Sequence, residues 1–190
     1  MEFFDRDMTL SPYSDGVFYS KNTKINPFIV KAVTNLTPGI AIDFGCGIGS
    51  NSKFLKERGW DVYAIDKESI AIEGVSKILS LSNIYKADIV NMDYSILPKS
   101  NLIICNYILQ HLSIEEAKTS IINMAKLLVK GGFIIFSIFS RKDCIKFDQI
   151  NEAMKSQNCL LKEKKIWIRK DIDHGPVHLH NGIEGLWIKN

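Results

Sequence analysis

A glycine-rich loop between a buried strand and a helix constrains this chain more than any other feature. The loop, residues 43–49 (DFGCGIG), continues the apolar run 40–44 and precedes a helix-like segment at 51–58. Glycines in such a loop permit a tight turn, and their missing side chains let a ligand approach the backbone. This arrangement is typical of parallel sheets that bind a ligand beside the carboxyl end of a strand.

Apolar runs and helix-period segments alternate along the rest of the core. Further strand-like runs lie at residues 61–65, 84–89, 101–105 and 133–139. Ser113 and Glu116 have the spacing of a capping box, and we expect the helix that they open to end at 130–132. Two last strands are predicted at residues 160–169 and 178–188, on either side of a turn at 173–176. The pattern predicts an α/β, Rossmann-like, doubly wound fold with a seven-stranded, mostly parallel sheet and an antiparallel last strand.

Composition limits the classes of protein to which the chain can belong. With 190 residues, 46% of them hydrophobic and 24% charged, it has the make-up of one globular domain. We expect residues 1–25 to form an N-terminal cap segment and residues 26–190 to form a single domain. The net charge of +3 is small and dispersed, which argues against a nucleic-acid partner.

Other composition signals bear on the compartment. No apolar run approaches the roughly 20 residues of a membrane-spanning helix, and the acidic start of the chain does not resemble a secretory signal. The four cysteines form no CxxC pair. We therefore predict a cytoplasmic protein with reduced thiols and no membrane partner. The sequence indicates no oligomeric state.

Two acidic residues flank the glycine loop and bear on the chemistry of its ligand. Asp43 lies two residues before the first glycine, and Asp66 follows the second strand, 21 residues after Gly45. An acid in the position of Asp66 suits ribose hydroxyls. A carboxylate at Asp43 would repel a pyrophosphate but would suit an ammonium group, and the GxGxG spacing differs from the dinucleotide pattern GxGxxG. These features favour S-adenosylmethionine over NAD as the cofactor.

The same residues resemble a known family. Residues 41–49 (AIDFGCGIG) look like motif I of the class I S-adenosylmethionine-dependent methyltransferases, and the order of the later motifs extends the likeness over about residues 26–140. Residues 49–52 (GSNS) and 59–66 (GWDVYAID) further resemble the small tellurite-resistance type methyltransferases. The chain departs from that pattern at Ser50, where those proteins have arginine.

The resemblance implies a set of cofactor-binding residues. The glycines would pass beneath the methionine part, Asp43 would receive its ammonium, and Asp66 would hold the ribose. Asp88 and the backbone of Ile89 would meet the adenine, and Asn106 would line the methionine side. The complete expected set is Asp43, Gly45, Cys46, Gly47, Gly49, Asn51, Asp66, Lys67, Asp88, Ile89 and Asn106. Cys46 is expected to be a small packing residue and not a nucleophile.

Candidate residues for the acceptor side lie further apart. The candidate catalytic or acceptor-orienting residues are His111, which follows the fourth strand, and the pair His178 and His180 on the last strand. Their alternation places the pair on one face of that strand, where it could hold an anionic acceptor or a divalent metal. No further ligand stands at metal-binding spacing, so we expect no metal. The expected substrate or lid residues are Tyr13, Phe18, Tyr19 and Arg141.

These features predict methyl transfer from S-adenosylmethionine to a small-molecule acceptor by in-line displacement. The methyl group sits on an electrophilic sulfonium, so positioning and exclusion of water matter more than acid or base help. The acceptor stays open between tellurite or selenite, a thiol, a carboxylate and a secondary metabolite. Two other functions also remain: a non-catalytic domain that binds the cofactor, and an NAD-linked oxidoreductase.

Overall fold

The protein has strands and helices in an alternating order, and most of them surround one central sheet. The structure, a computed structural model, describes residues 11–12, 18–19, 25–140, 142–171 and 178–190. The strands are β1 (Ser11–Pro12), β2 (Phe18–Tyr19), β3 (Ile40–Phe44), β4 (Asp61–Asp66), β5 (Ile84–Lys86), β6 (Ser100–Asn106), β7 (Leu128–Phe139), β8 (Cys159–Asp171) and β9 (His178–Lys189). The helices are α1 (Pro27–Val33), α2 (Ser50–Lys56), α3 (Ser69–Ser76), α4 (Ile114–Leu127) and α5 (Phe147–Ser156).

The central sheet has seven strands in the order β5-β4-β3-β6-β7-β9-β8. Strands β3 to β7 pair in parallel, whereas β9 runs antiparallel to both β7 and β8. The predicted fold class is therefore confirmed, including the antiparallel last strand. The strand order reverses between β3 and β6, and crevices at such a switch point are where doubly wound sheets bind ligands.

Helices cover both faces of this sheet. Helices α1, α2 and α3 pack on one face through residues such as Phe28, Leu55 and Val75. Helices α4 and α5 pack on the other face through residues such as Ile121 and Ile150. Because β3 and β6 are covered on both sides, their side chains are almost all buried and their sequences read as continuous apolar runs.

The predicted start of α4 is confirmed, whereas its predicted end is wrong. Ser113 and Glu116 form the capping box: the Ser113 N–H donates to Glu116 Oε2 at 2.9 Å, and the Glu116 N–H donates to Ser113 Oγ at 3.3 Å. The helix ends at Leu127, however, and the residues at 130–132 already lie in β7. Between Leu128 and Phe133 the register of β7 against β6 shifts, so the extra residues bulge out of the sheet and Gly131 takes a φ of 78°.

The described part of the chain contains no helix that is both long enough and apolar enough to cross a membrane. Near the N-terminus, the two-residue strands β1 and β2 pair antiparallel, with Ser11 opposite Tyr19. The predicted turn at residues 173–176 lies outside the described residues.

Candidate functional site

The glycine loop turns sharply as the chain leaves β3. The N–H groups of Gly45 and Cys46 both donate to the carbonyl of Ile65, at 2.8 and 3.0 Å, which ties the loop to the end of β4. Gly45 and Gly49 have φ values of 68° and 93°, in the left-handed region that side chains disfavour. A Cβ added at Gly45 would also lie 2.3 Å from Ile108, so this position accepts only glycine without rearrangement.

Asp43 presents a buried carboxylate beneath this loop. The residue is fully buried, and its Oδ2 accepts a hydrogen bond of 2.7 Å from the Ser52 hydroxyl. Its Oδ1 is buried and has no hydrogen-bond partner among the described residues. Burial raises the pKa of Asp43 to about 6, although Ser52 and Asn51 favour the ionised form. A buried oxygen without a partner is costly, and a ligand with an N–H group would satisfy it.

Asp66 lies on the other side of the loop. Its Oδ2 accepts from the Gly47 N–H at 2.9 Å, and its Oδ1 accepts from the Glu68 N–H at 3.0 Å. The charge of Asp66 also raises the pKa of Asp43, which means that the two carboxylates repel each other. The loop is therefore held between two acids, and a ligand with positive charge would relieve their repulsion.

The residues predicted for the adenine lie at the end of β5. Asp88 closes a turn by accepting from the Val90 N–H at 3.0 Å, and the carbonyl of Ile89 accepts from the Tyr94 hydroxyl at 2.6 Å. The Ala87 N–H donates to the carbonyl of Asp66 at 3.0 Å, so this turn directly adjoins the Asp66 end of β4. The structure thus brings the two predicted parts of the cofactor site together at the carboxyl ends of β4 and β5.

The remaining predicted cofactor residues differ in burial. Asn51 is half-buried at the start of α2, whereas Lys67 is exposed after β4. Cys46 is 6% exposed, and burial raises the pKa of its thiol, which fits a packing residue. Asn106 ends β6, and its Oδ1 is buried without a hydrogen-bond partner among the described residues. The residue before it, Cys105, is paired with Phe44, so Asn106 lies beside Gly45, the first glycine of the loop.

The candidate acceptor-side residues are only partly described. His111 is exposed in a short turn after β6, with its Nε2 3.3 Å from Gln110 Nε2. His178 and His180 lie on β9, opposite Asp171 and Arg169. Of these two histidines, and of Phe18 and Tyr19 on β2, the structure describes the backbone only, and Tyr13 and Arg141 lie outside the described residues. The part of the chain that the structure describes contains no group of three or more metal-ligating side chains.

The sequence did not lead us to predict a polar cluster around Glu184. Glu184 on β9 is 2% exposed, and its Oε1 accepts a hydrogen bond of 2.5 Å from Asn26 Nδ2. The Tyr107 hydroxyl lies 3.5 Å from the same oxygen, and Lys165 Nζ lies 3.8 Å from Oε2. The available signal was a lone acid inside an otherwise apolar strand, because a buried carboxylate needs partners.

The strand order and the antiparallel β9, together with helices on both faces, define the Rossmann-like fold of methyltransferases. A family model described as the tellurite resistance protein TehB matches residues 14–162. The chain belongs to this TehB family.

Relatives and solved structures agree with this assignment. An uncharacterized methyltransferase of Bacillus mycoides is 30% identical over 136 residues, which cover 68% of this chain and 60% of the relative. The crystal structure of TehB from Haemophilus influenzae has a TM-score of 0.75 at 20% identity and covers 89% of this chain and 64% of that chain. A magnesium protoporphyrin IX methyltransferase from Synechocystis, solved with bound S-adenosylmethionine, has a TM-score of 0.62 at 21% identity, over 86% of this chain and 76% of that chain. The chain spans 60% of the length of the curated relative that it matches.

Proposed function

We propose that this chain transfers a methyl group from S-adenosylmethionine to a small-molecule acceptor. The observation that carries the proposal is the pair of carboxylates at Asp43 and Asp66, one on each side of the glycine loop. Asp43 has a buried oxygen without a partner among the described residues, and the nearby charge of Asp66 disfavours its ionised form. Both features favour a cationic ligand with N–H and O–H groups over a phosphate-bearing one. S-adenosylmethionine has an ammonium, a sulfonium and ribose hydroxyls, and it lacks phosphate.

The residues around the glycine loop can be matched to the separate chemical groups of S-adenosylmethionine. Asp43 would accept from the ammonium, Asp66 from the ribose hydroxyls, and Asp88 with the backbone of Ile89 would meet the adenine. Asn106, with its buried Oδ1, would line the methionine side. The rest of the proposed set is Gly45, Cys46, Gly47, Gly49, Asn51 and Lys67. When bound, the cofactor supplies a methyl group on an electrophilic sulfonium, so the chain has mainly to position an acceptor and exclude water.

The acceptor side of the proposal concerns which molecule receives the methyl group and which residues contact it. The net charge of +3 is dispersed, which favours a small molecule over a nucleic acid. We propose that residues 26–190 form one domain and that residues 1–25 cap the part of it near Glu184. The cap segment joins the domain at Asn26, and the side chain of Asn26 contacts Glu184. Tyr13, Phe18, Tyr19, Arg141 and the histidines His111, His178 and His180 stay candidates for contacts to the acceptor. A cytoplasmic location is supported by the four cysteines, which are buried and form no disulfide among the described residues.

Calorimetry with S-adenosylhomocysteine, the product form of the cofactor, tests the proposal directly. We expect the wild type to bind and Asp66→Ala to weaken binding by about 1–3 kcal/mol, the cost of removing a buried hydrogen-bond acceptor. Asp61→Asn is the matched control, because Asp61 is an exposed carboxylate at the opposite end of the same strand. Thermal unfolding of each variant without ligand shows whether the loop still folds.

The same experiment separates the alternatives. Binding of NADH and not of S-adenosylhomocysteine would contradict the proposal and favour an NAD-linked oxidoreductase. Binding of S-adenosylhomocysteine without methyl transfer to any of a broad set of small acceptors would favour a non-catalytic cofactor-binding domain.

A further inference from the structure

A row of buried polar side chains crosses three strands beside the proposed cofactor site. Asn106 on β6 pairs in register with Ser137 on β7, and Ser137 pairs with Glu184 on β9. Directly paired residues on neighbouring strands point to the same face of a sheet. Each of the three has a buried oxygen without a hydrogen-bond partner among the described residues: Asn106 Oδ1, Ser137 Oγ and Glu184 Oε2. The row therefore presents polar atoms that its own neighbours do not satisfy with hydrogen bonds, although Lys165 Nζ forms an ion pair with Glu184 Oε2 at 3.8 Å.

The dimensions of this row suit a small ligand. Neighbouring strands lie about 4.8 Å apart, so Glu184 on β9 is roughly 10 Å from Asn106 on β6. Asn106 in turn lies beside Gly45 of the glycine loop, because the residues that precede them, Cys105 and Phe44, are paired. A molecule that reaches from the loop to Glu184 has the size of a small metabolite. The carboxylate therefore lies within the length of one small molecule of the proposed cofactor site.

An aromatic wall stands beside the carboxylate. The Tyr107 ring stacks on Phe139 with 4.6 Å between centroids, and Phe139 meets Trp167 edge-on at 5.7 Å. Tyr107 holds this position with a φ of 60°, a left-handed conformation that is rare outside glycine. Its hydroxyl approaches Glu184 Oε1, so the aromatic wall and the acid belong to one cluster. Aromatic faces and a carboxylate together are complementary to an ammonium group.

The charges near Glu184 also favour a cationic ligand over an anionic one. Lys165 Nζ lies 3.8 Å from Oε2, but its side chain is 47% exposed and so reaches the carboxylate from the rim. Asn26, which binds Oε1, is a neutral donor. An oxyanion placed at Glu184 would meet a buried carboxylate, which repels it. The Ser137 hydroxyl and the Asn106 amide can each donate or accept, so they do not discriminate between the two classes of ligand. An amine would instead donate to the Glu184 carboxylate.

We propose that Glu184 is a specificity residue for the methyl acceptor and that it selects an amine over an oxyanion. The inference rests on the function proposed above and narrows its acceptor class. The Glu184 carboxylate accepts from the ammonium of the bound acceptor, and the rings of Tyr107, Phe139 and Trp167 flank the carbon atoms next to it.

The test uses three probes of nearly equal shape: benzylamine, benzyl alcohol and benzoate. Calorimetry is carried out on the full chain in the presence of saturating S-adenosylhomocysteine. We expect the wild type to bind benzylamine at least tenfold more tightly than benzoate, with benzyl alcohol between them. Equal affinities, tighter binding of benzoate, or no binding of benzylamine would overturn the proposal.

Two variants separate recognition from a purely structural role. Glu184→Gln keeps an oxygen that accepts from Asn26 but loses the charge, and we expect it to weaken benzylamine binding about tenfold while S-adenosylhomocysteine affinity changes less than twofold. Glu163→Gln is the control, because Glu163 is a more exposed acid on β8 that pairs with Lys31 at 2.6 Å. If Glu184→Gln loses stability but still binds benzylamine like the wild type, Glu184 only anchors the start of α1 and the proposal is wrong.

The outcomes also distinguish this inference from the proposed function. If the wild type fails to bind S-adenosylhomocysteine, the proposed function fails and the acceptor inference fails with it. If S-adenosylhomocysteine binds and benzylamine has no advantage over benzoate, only the amine inference fails.

Discussion

The two halves of the sheet use buried acids in different ways. In the half formed by β3, β4 and β5, Asp43 and Asp66 lie at the ends of adjacent strands and are connected through one short loop. In the half formed by β6, β7 and β9, Glu184 meets Asn26 and Tyr107, which are 158 and 77 residues away along the chain. The first arrangement depends on local sequence, whereas the second depends on the register of distant strands. The difference indicates that the proposed cofactor site is encoded in a local motif, whereas the proposed acceptor site depends on how the fold brings distant strands together.

The largest effect is expected from adding a side chain to the glycine loop at Gly45. Gly45→Ala adds a Cβ at a φ of 68° and 2.3 Å from Ile108, so the substitution costs backbone strain and also a clash. We expect the free energy of unfolding to fall by about 2–4 kcal/mol and S-adenosylhomocysteine binding to weaken. Urea unfolding measures the first effect and calorimetry the second.

Gly131→Ala is the matched control in the other half of the sheet. Gly131 has a φ of 78°, but a Cβ there would meet nothing within 4 Å. This variant therefore carries the strain alone, and we expect a loss of about 1–2 kcal/mol. If both variants lose the same stability, the contact between Gly45 and Ile108 does not constrain the loop.

The second expected effect concerns the cost of keeping Asp43 buried. Burial raises the pKa of its carboxyl to about 6 in the folded chain, above its ordinary value of 3.8. At pH 7 the folded state therefore holds a disfavoured charge, and Asp43→Asn should raise the free energy of unfolding by about 1–3 kcal/mol. The same variant should weaken S-adenosylhomocysteine binding, because the amide lacks the charge that an ammonium requires.

The sign of the pH dependence gives this prediction a second readout. Below pH 6 the folded wild type takes up a proton at Asp43 that the unfolded chain does not bind until about pH 4. The penalty is therefore complete above pH 6 and disappears as the pH falls towards 4. The stability advantage of Asp43→Asn in urea unfolding should shrink over that range. An advantage that stays constant from pH 8 to pH 4 would show that Asp43 is not the cause.

The contrast between the halves also explains what the sequence could predict. The glycine loop, Asp43 and Asp66 are recognisable because the loop, the strand and the acids are close in sequence, so each local pattern constrains the next. The start of α4 was predictable for the same reason, since Ser113 and Glu116 are one helical turn apart. The fold class followed from the alternation of strands and helices.

Features that depend on register could not be read in this way. Glycines at 131 and 132 look like the end of a helix, but α4 ends earlier and the glycines belong to a bulge in β7, which exists only because that strand pairs with β6. Glu184 is a single acid in the apolar run 183–188, a signal that suggests burial but does not identify its partners. Those partners, Asn26 and Tyr107, are brought to it from distant parts of the chain only by the fold.

The smallest expected effect tests whether the aromatic wall or the Tyr107 hydroxyl organises the half of the sheet formed by β6, β7 and β9. Tyr107→Phe keeps the ring stacked on Phe139 and removes a hydroxyl that lies 3.5 Å from both Asn26 Nδ2 and Glu184 Oε1. Hydrogen bonds of this length are weak, so we expect a loss of less than about 1 kcal/mol in the free energy of unfolding and unchanged S-adenosylhomocysteine affinity. A loss above 2 kcal/mol in urea unfolding would mean that the hydroxyl holds Glu184 in place. In that event the two halves would be alike, because a hydrogen-bonded acid would then organise each of them.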